Sequence, residues 1–255
     1  MPRLALIRPV SASIVRCELT HLARQPIDLE RARIQHHAYA AALAQAGCTV
    51  RTLAALDDQP DAVFVEDTAV VLDEVAVITN PGAASRRAEV DSVAAALAAL
   101  RPLVRIHPPA TLDGGDVLRV GRTLFVGRTP RTNAAGIAAL AAVAGRRGYE
   151  VVPVAVEGCL HLKSGVGKVA PRTLLINRAW IDAAPFDGLE LIGVDAAEPM
   201  AANALRLGER LIYPEAFPRT AEALGARGIA LLTVAADELG KAEGGVTCCS
   251  LVFEA

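Results

Sequence analysis

The organisation of this chain follows from residues 243–253, which read Glu243-Gly244-Gly245-Val246-Thr247-Cys248-Cys249-Ser250-Leu251-Val252-Phe253. Two glycines precede a β-branched and apolar run, a composition that is typical of a β-strand. In such a strand, Cys249 shares the core face with Leu251 and Phe253. Cys248 lies on the opposite face. The alternation therefore predicts that Cys248 faces a site, although a free cysteine is often only a small buried hydrophobic residue.

Upstream of this stretch, one order of segments recurs: a polar cluster, a β-hairpin, a helix and a further strand. The four leading polar positions are Glu66, Asp113, His161 and Asn203, and they are separated by 47, 48 and 42 residues. These spacings are near the unit length of toroidal repeat folds. An ordinary α/β chain with hairpins is the alternative, because the units share almost no sequence identity.

A fifth unit would begin at Gly244 and close through the other end of the chain. That end supplies a strand at 4–8, a helix at 29–46 with Asp28 as its N-cap, and a strand at 48–53. In the next unit, Ser85 is the predicted helix N-cap. If the five units surround one pseudo-symmetric axis, their leading side chains converge there: Glu66, Asp67, Asp113, His161 and Cys248.

This set of side chains suits attack on a planar cation. A thiolate nucleophile needs a base or a lowered pKa, and His161 can serve as base and acid with Asp113 orienting its ring. Glu66 and Asp67 suggest a guanidinium substrate, because paired carboxylates match its donors. Simpler interpretations remain open at this point. The acids could simply lie in solvated turns, and His161 could be a hydrogen-bonded core residue. A calcium-binding loop is not indicated, because its residue spacing is missing.

Composition narrows the classes of function. The chain has 255 residues, of which 53% are apolar, but no apolar run has the length of a membrane span. A net charge of −2 and only 4% aromatic residues argue against nucleic acid as a partner. Five cysteines, scattered except for the final pair, and no signal-like amino terminus predict a reducing, cytoplasmic location. We therefore expect a small-molecule substrate, no membrane association, and a monomer or homodimer.

Six motifs in this order resemble the dimethylarginine dimethylaminohydrolase family, which belongs to the guanidine-modifying superfamily. They cover essentially the whole chain: Phe64-Val65-Glu66-Asp67, Ser85-Arg86-Arg87, Leu112-Asp113-Gly114-Gly115-Asp116-Val117-Leu118, Arg131-Thr132-Asn133, Leu160-His161-Leu162-Lys163-Ser164 and Thr247-Cys248-Cys249-Ser250. The resemblance implies an α/β fold, the five-bladed α/β propeller known as the pentein fold, formed by residues 1–255 as a single domain.

The resemblance also implies the roles of individual residues. Cys248 would be the nucleophile that forms a covalent thiouronium adduct, His161 the general acid and base, and Asp113 its acidic partner. The implied substrate contacts are made by Leu19 (backbone), Asp61, Glu66, Asp67, Arg86, Arg131 and Ala242. The products would be citrulline and dimethylamine, or methylamine from the monomethyl substrate. No metal or organic cofactor is implied.

Two positions depart from the family pattern, and three other functions compete with this interpretation. Ala242 stands where a larger branched residue is expected, and Cys159 has no place in the pattern. The chain could instead hydrolyse arginine or another alkylguanidine, or bind arginine-like ligands without catalysis. A metal or redox site at Cys248 and Cys249 is disfavoured, because neighbouring side chains on a strand point apart.

Overall fold

The computed structural model of the protein describes residues 3–254; Met1, Pro2 and Ala255, at the ends of the predicted domain, lie outside the described residues. The strands are β1 Arg3–Ile7, β2 Cys48–Thr52, β3 Ala69–Val71, β4 Ala76–Ile78, β5 Leu103–Arg105, β6 Val117–Val120, β7 Thr123–Arg128, β8 Glu150–Ala155, β9 Val166–Ala170, β10 Thr173–Ile176, β11 Glu190–Gly193, β12 Leu205–Leu207, β13 Arg210–Pro214, β14 Ala230–Val234 and β15 Leu251–Glu254. The helices are α1 Leu29–Gln45, α2 Val90–Ala98, α3 Ala134–Gly145, α4 Leu162–Gly165, α5 Pro218–Gly225 and α6 Asp237–Gly240.

These strands form five three-stranded sheets with one shared topology. In each sheet the central strand is antiparallel to an inner strand and parallel to an outer one. For example, β4 is antiparallel to β3 and parallel to β5. A parallel neighbour requires a crossover connection. Helices α1, α2, α3 and α5 supply four of these crossovers. In the unit that begins at His161, the predicted weak helix is only the short 3-10 turn Ala184–Phe186.

The two ends of the chain complete one sheet. Strand β1 lies between β15, to which it is antiparallel, and β2, to which it is parallel, with Leu4 opposite Phe253. This pairing confirms the predicted fifth unit, which is split between the two termini. The five sheets fit the predicted propeller-like arrangement.

The hydrophobic core explains why the strands are apolar on both faces. Leu4 and Leu6 of β1 pack with Ala76 and Ile78 of the next sheet, whereas Ala5 and Ile7 pack with the sheet that contains β13. Alternate residues of one strand therefore fill two different clusters. Each of the five buried clusters lies between two neighbouring sheets. One of them joins the sheet of β12, β13 and β14 to the sheet of β15, β1 and β2. Packing therefore runs around a ring.

Helix ends test the local predictions from the sequence. The Asp28 carboxylate accepts from the Arg31 N–H, so the predicted cap of α1 is confirmed, and Gly47 follows the helix with a φ of 86°. The prediction of Ser85 as an N-cap was wrong. Ser85 lies inside the 3-10 segment Ala84–Glu89, and its hydroxyl donates to the Glu18 carboxylate instead.

The predicted extent of the last strand was also wrong. Strand β15 begins at Leu251, whereas Cys248 and Cys249 lie in tight turns before it. The Cys248 N–H donates to the Gly245 carbonyl, and the Thr247 N–H donates to the Asn203 side chain. These hydrogen bonds curl the backbone, so strand alternation cannot assign faces to the two cysteines. It does hold from Leu251 to Glu254, where buried and more exposed residues alternate.

Candidate active site

Four of the five units place their leading residues on a single turn directly before the inner strand. Glu66 and Asp67 lie in the 3-10 turn Val65–Thr68, which ends where β3 begins. Asp113 precedes the turn Gly114–Asp116, and His161 precedes α4. Cys248 occupies the equivalent turn before β15. Because the inner strands have equivalent places in their sheets, these turns meet at one end of the ring.

The acid–imidazole pair has hydrogen-bonding geometry. The Nε2 atom of His161 lies 3.0 Å from Asp113 Oδ2 and 4.0 Å from Asp67 Oδ1, and all three side chains are buried. The Gly82 N–H holds the other oxygen of Asp113 at 2.9 Å. The His161 ring is therefore fixed by a carboxylate that is itself oriented by the backbone.

Gly115 is required where these groups approach the backbone. A Cβ atom at this position would lie 2.7 Å from both His161 Nδ1 and Asp67 Oδ1. Without a side chain, the Gly115 N–H reaches Asp67 Oδ1 at 2.8 Å. The second glycine of the Asp-Gly-Gly-Asp motif thus lets the imidazole and the carboxylate lie against the main chain.

Charge, rather than burial, sets the protonation of this pair. Burial alone would lower the pKa of His161, but the charges of Asp67 and Asp116 and the Asp113 hydrogen bond raise it to about 9. Burial would likewise raise the pKa of Asp67, yet the charges of His161 and Arg86 lower it to about 2. At neutral pH the site therefore contains an imidazolium beside carboxylates.

The Cys248 thiol is neutral in the same surroundings. Burial, followed by the charges of Glu66 and Asp67, raises its pKa to about 12. The Gly245 N–H, 3.3 Å from Sγ, and the Lys163 charge oppose this shift only in part. Without a bound cation, Cys248 is a thiol, because its charged form would face carboxylates in a site shielded from water.

Glu66 points away from its neighbour Asp67. Its two oxygens accept from Lys163 Nζ at 2.6 Å and from Thr247 Oγ1 at 2.8 Å. It does not line the cavity at Cys248, whereas Asp67 does. The predicted guanidinium contact of Glu66 therefore remains a prediction, and in this structure the carboxylate is occupied by protein donors.

The two predicted carboxylate-binding arginines differ in availability. The guanidinium of Arg86 is buried and donates to Asp67 at 2.5 Å, to both oxygens of Glu89, and to two backbone carbonyls. Arg131 makes one side-chain hydrogen bond, to Thr20 Oγ1, and lies 3.9 Å from Asp113. Both line the cavity, but Arg131 has more donors left for a ligand.

One small enclosed cavity brings most of the predicted residues together. It is lined by Glu18, Asp61, Phe64, Asp67, Arg86, Arg131, Leu160, His161, Ala242, Glu243, Gly244 and Cys248. Leu19 does not line it, although its neighbour Glu18 does. The volume of about 20 Å³ holds no more than a water-sized group. A larger ligand can enter only if part of the wall moves.

Glu243 forms part of that wall and was missed from the sequence. Its carboxylate accepts from three consecutive backbone N–H groups, those of Thr20, His21 and Leu22, at 2.5–3.1 Å. Its φ is 59°, which is unusual for a residue other than glycine. The loop it holds, residues 18–22, includes the wall residue Glu18. In the sequence, Glu243 stands before two glycines, and nothing there indicates its contact with residues 20–22, more than 200 positions away.

Comparison with known proteins assigns the family. The family model described as "N,N dimethylarginine dimethylhydrolase, eukaryotic" matches residues 20–184. An N(G),N(G)-dimethylarginine dimethylaminohydrolase from Streptomyces coelicolor is 40% identical over 249 residues, which are 97% of this chain and 95% of that protein. The chain belongs to the dimethylarginine dimethylaminohydrolase family of hydrolases.

Two solved structures of this family share the fold. A mutant of the Pseudomonas aeruginosa enzyme complexed with citrulline superposes with a TM-score of 0.94 at 32% identity, covering 99% of this chain and 100% of that one. A dimethylarginine dimethylaminohydrolase variant in an adduct with S-methyl-L-thiocitrulline has a TM-score of 0.93, also at 32% identity with 99% and 100% coverage. The predicted α/β propeller of the family is therefore confirmed.

Three residues of this site lie close enough together to bind one metal ion. Asp67, Asp113 and His161 each offer a ligand atom, and these atoms lie within 4.8 Å of one another. A metal needs the neutral imidazole, but the pKa of His161 is raised to about 9 by the neighbouring carboxylates. A metal at this set would therefore have to displace a proton from His161 at neutral pH. Among residues 3–254, no helix has the length and apolar character needed to cross a membrane.

The remaining cysteines lie outside the reacting group of side chains. All five are buried and free. Cys249 borders a different small cavity, with Tyr39 and Val246, and its thiol faces the Gly245 carbonyl. Cys159 lies 3.4 Å from the His161 carbonyl, and burial raises its pKa to about 12. These thiols pack as small apolar groups.

Proposed function

We propose that this protein hydrolyses Nω,Nω-dimethyl-L-arginine to L-citrulline and dimethylamine, and the monomethyl substrate to citrulline and methylamine. The observation that carries the proposal is the enclosed cavity where Cys248, His161 and Asp67 meet, with Asp113 behind the histidine. The 40% identical Streptomyces relative, named for dimethylarginine hydrolysis, supports the same substrate class.

Substrate recognition would follow the charges that line the cavity. Asp67 takes the guanidinium, joined by Glu66 if its Lys163 and Thr247 contacts rearrange. Arg131, assisted by Arg86, takes the α-carboxylate as a bidentate partner. Asp61, together with the backbone at Leu19, takes the α-amino group. The small side chain of Ala242 leaves room beside the aliphatic stem.

The substrate itself would activate the thiol. Negative charge on Glu66 and Asp67 keeps the pKa of Cys248 high, together with burial. A guanidinium bound between these carboxylates and the sulfur offsets that charge and stabilises the thiolate. The thiol proton is released to bulk solvent as the substrate binds. Cys248 is thus expected to ionise only beside its target carbon, which limits side reactions.

The bond changes then follow in two steps. The Cys248 thiolate forms a bond to the guanidinium carbon, and the bond from that carbon to the dimethylamino nitrogen breaks as the His161 imidazolium donates its proton to the leaving amine. This leaves a Cys248 thiouronium adduct and neutral His161. Water adds to the adduct while His161 accepts one of its protons. The carbon–sulfur bond then breaks, the second water proton passes to the Cys248 sulfur, and citrulline forms. Asp113 stabilises the imidazolium at both stages.

Two measurements test this proposal. Citrulline release is measured with dimethylarginine, monomethylarginine and arginine, and protein quenched during turnover is weighed by mass spectrometry. We expect turnover of the methylated substrates in preference to arginine, and an amidine mass added to the peptide that contains Cys248. Removing the nucleophile with Cys248→Ser should lower kcat by at least roughly 10³-fold.

The neighbouring thiol provides the matched control. Cys249→Ala removes a thiol one residue away that does not line the cavity at Cys248, so it should retain adduct formation and most activity. A preference for unmethylated arginine would overturn the substrate assignment. Full activity in Cys248→Ser would overturn the nucleophile.

A further inference from the structure

A second, larger cavity lies beyond the turns that carry the active-site residues. Its volume is about 800 Å³, and its walls include residues of the inner strands β3, β6, β9, β12 and β15. Glu66 and Thr247 line this cavity, whereas their chain neighbours Asp67 and Cys248 line the small one. The two cavities thus lie on opposite sides of the same turns, along the axis of the ring.

The wall of this axial cavity is rich in positive charge. Six cationic side chains line it: Arg3, Arg101, Arg119, Lys163, Lys168 and Arg206. Only three acids face them there: Glu66, Asp73 and Glu254. Cations therefore outnumber acids two to one around this cavity, although the whole chain has a net charge of −2.

Part of this positive charge is not neutralised by the protein. Lys163 pairs with Glu66 at 2.6 Å, and Arg119 pairs with Asp73 at 2.7 Å. Across residues 3–254, neither Lys168 nor Arg206 forms an ion pair with an acid, and both are only partly exposed. Lys168 and Arg206 therefore bring positive charge to the cavity wall that no acid of the described residues neutralises.

The pseudo-symmetry brings these cations to similar depth. Arg119 is the third residue of β6, Lys168 the third of β9 and Arg206 the second of β12. These are the inner strands of three successive units. The charges are close enough that, after burial, Arg206 and then Arg119 lower the pKa of Lys168. An anion seated among them would relieve this repulsion.

We propose that the axial cavity is a binding site for a small, multiply charged phosphate compound, held by Lys168 and Arg206 with Arg119 beside them. Guanidinium groups offer paired donors that match phosphate oxygens, and a multiply charged anion can contact several of these cations at once. The volume of the cavity accommodates a molecule much larger than water. The ligand has the opposite charge to a guanidinium substrate, so the two sites select different molecules.

Calorimetric titration of the full chain with pyrophosphate tests this site. At low salt we expect one saturable site with a dissociation constant of roughly 100 µM or below, and weaker binding as salt is added. The double variant Lys168→Met with Arg206→Met should bind at least about tenfold more weakly, because two charge-assisted contacts are lost. Excess L-citrulline, directed at the Cys248 cavity, should leave the affinity unchanged.

A matched variant controls for the loss of charge. Arg146→Met with Arg178→Met removes the same charge from exposed positions outside the cavity, and its affinity should stay within about twofold of the parent. The Lys168→Gln single variant is expected to melt at the same or a higher temperature, since it removes repulsion, and to bind pyrophosphate more weakly. Undiminished binding by these cavity variants, displacement by citrulline, or no binding by the parent overturns the proposal.

Discussion

At the scale of single residues, Cys248 and His161 have raised pKa values for different reasons. Burial and two carboxylates keep a proton on the sulfur, whereas three acids outweigh burial and keep a proton on the imidazole. The resting site therefore holds a neutral thiol and a charged histidine. This arrangement makes the reactivity of Cys248 depend on the charge of its neighbours.

The first prediction concerns Glu66→Gln. Removing this carboxylate deletes a charge that raises the pKa of Cys248 and leaves Lys163 without its acid partner. Both changes stabilise the thiolate, so the pKa of Cys248 should fall. Alkylation of Cys248 by iodoacetamide at pH 8 should accelerate by roughly threefold to tenfold, the gain being limited because a less basic thiolate is less nucleophilic. Peptide mass spectrometry over time measures the rate.

The exposed acid Glu74 is the matched control for this experiment. Glu74→Gln removes the same charge at a position that does not border the small cavity, so it should leave the alkylation rate unchanged. An unaltered rate in Glu66→Gln would show that this carboxylate does not govern the thiol.

The second prediction concerns stability and pH at His161. The pKa is raised from 6.5 to about 9 on folding, so the folded state binds the proton more tightly. Its stabilisation is complete below pH 6.5 and is lost as pH rises to about 9. The loss should be on the order of 3 kcal/mol. Denaturant unfolding at a series of pH values measures the slope.

Comparison with His161→Gln isolates this contribution. The variant should lack the fall in unfolding free energy between pH 6.5 and about 9, while keeping the contribution of other groups. Burial lowers the pKa of His36 from 6.5 to about 4. His36 therefore makes the folded state less stable as pH falls from 6.5 to about 4, which lies outside the range of the His161 effect. Equal slopes for parent and variant would contradict the assignment.

At the scale of elements, the loop at residues 18–22 supplies Glu18 to the wall of the small cavity. The cavity admits only water-sized groups, and Glu243 fastens the loop through the N–H groups of residues 20–22. Glu243 makes most of the hydrogen bonds that hold residues 20–22, because a carboxylate can accept several at once. Asp61, Ser85 and Arg131 add one hydrogen bond each to Glu18 or Thr20. We infer that opening this contact admits substrate.

The third prediction follows from this contact. Glu243→Gln leaves one accepting oxygen and adds donors that face backbone N–H groups, so the loop should open more often. Amide hydrogen exchange at residues 20–22 should accelerate by about tenfold or more, corresponding to a loss of at least about 1.4 kcal/mol. KM for dimethylarginine should rise because the closed loop completes the binding site.

An exposed acid without a side-chain partner among the described residues, Glu215, supplies the control. Glu215→Gln should change neither the exchange rate of the loop nor KM. If Glu243→Gln exchanged at the parental rate, the loop would be held by its other contacts, such as that of Thr20 with Arg131.

At the scale of the whole molecule, the ring closes through non-covalent pairing of the two ends. Arg3 lies opposite Glu254 in the register of β1 and β15, and Leu6 lies opposite Leu251. Because β15 directly follows the Cys248 turn, this closure also positions Cys248. Stability and activity should therefore depend on the terminal strands together.

The fourth prediction uses this closure. A circular permutant whose original ends are joined by a short Gly-Ser linker, with new ends at the exposed turn Asp187–Gly188, should fold and retain activity. Deleting residues 251–255 instead should abolish both, because β1 loses its antiparallel partner and one cluster loses the buried side chains of Leu251 and Phe253. Thermal unfolding and citrulline release measure the outcome. A fully active deletion would contradict this role of β15.

The order of elements could be predicted from the sequence because each signal is local. Helix caps such as Asp28, apolar runs, hairpin turns and their spacing depend on residues a few positions apart, and they indicated five units, one of which is split between the termini. The strand boundary at Leu251 could not be predicted. It depends on Asn203, which is distant in sequence and holds Thr247 in a turn.

The sequence by itself determined the repeat order and the kinds of side chain available to the site. Only the tertiary structure decided which of them face one another: Asp67 toward His161, Glu66 toward Lys163, and Glu243 toward the loop at 20–22. The same holds for the raised pKa values of Cys248 and His161. The physical reason is that electrostatic and hydrogen-bond energies depend on distance and burial, which the fold sets between residues far apart in the chain.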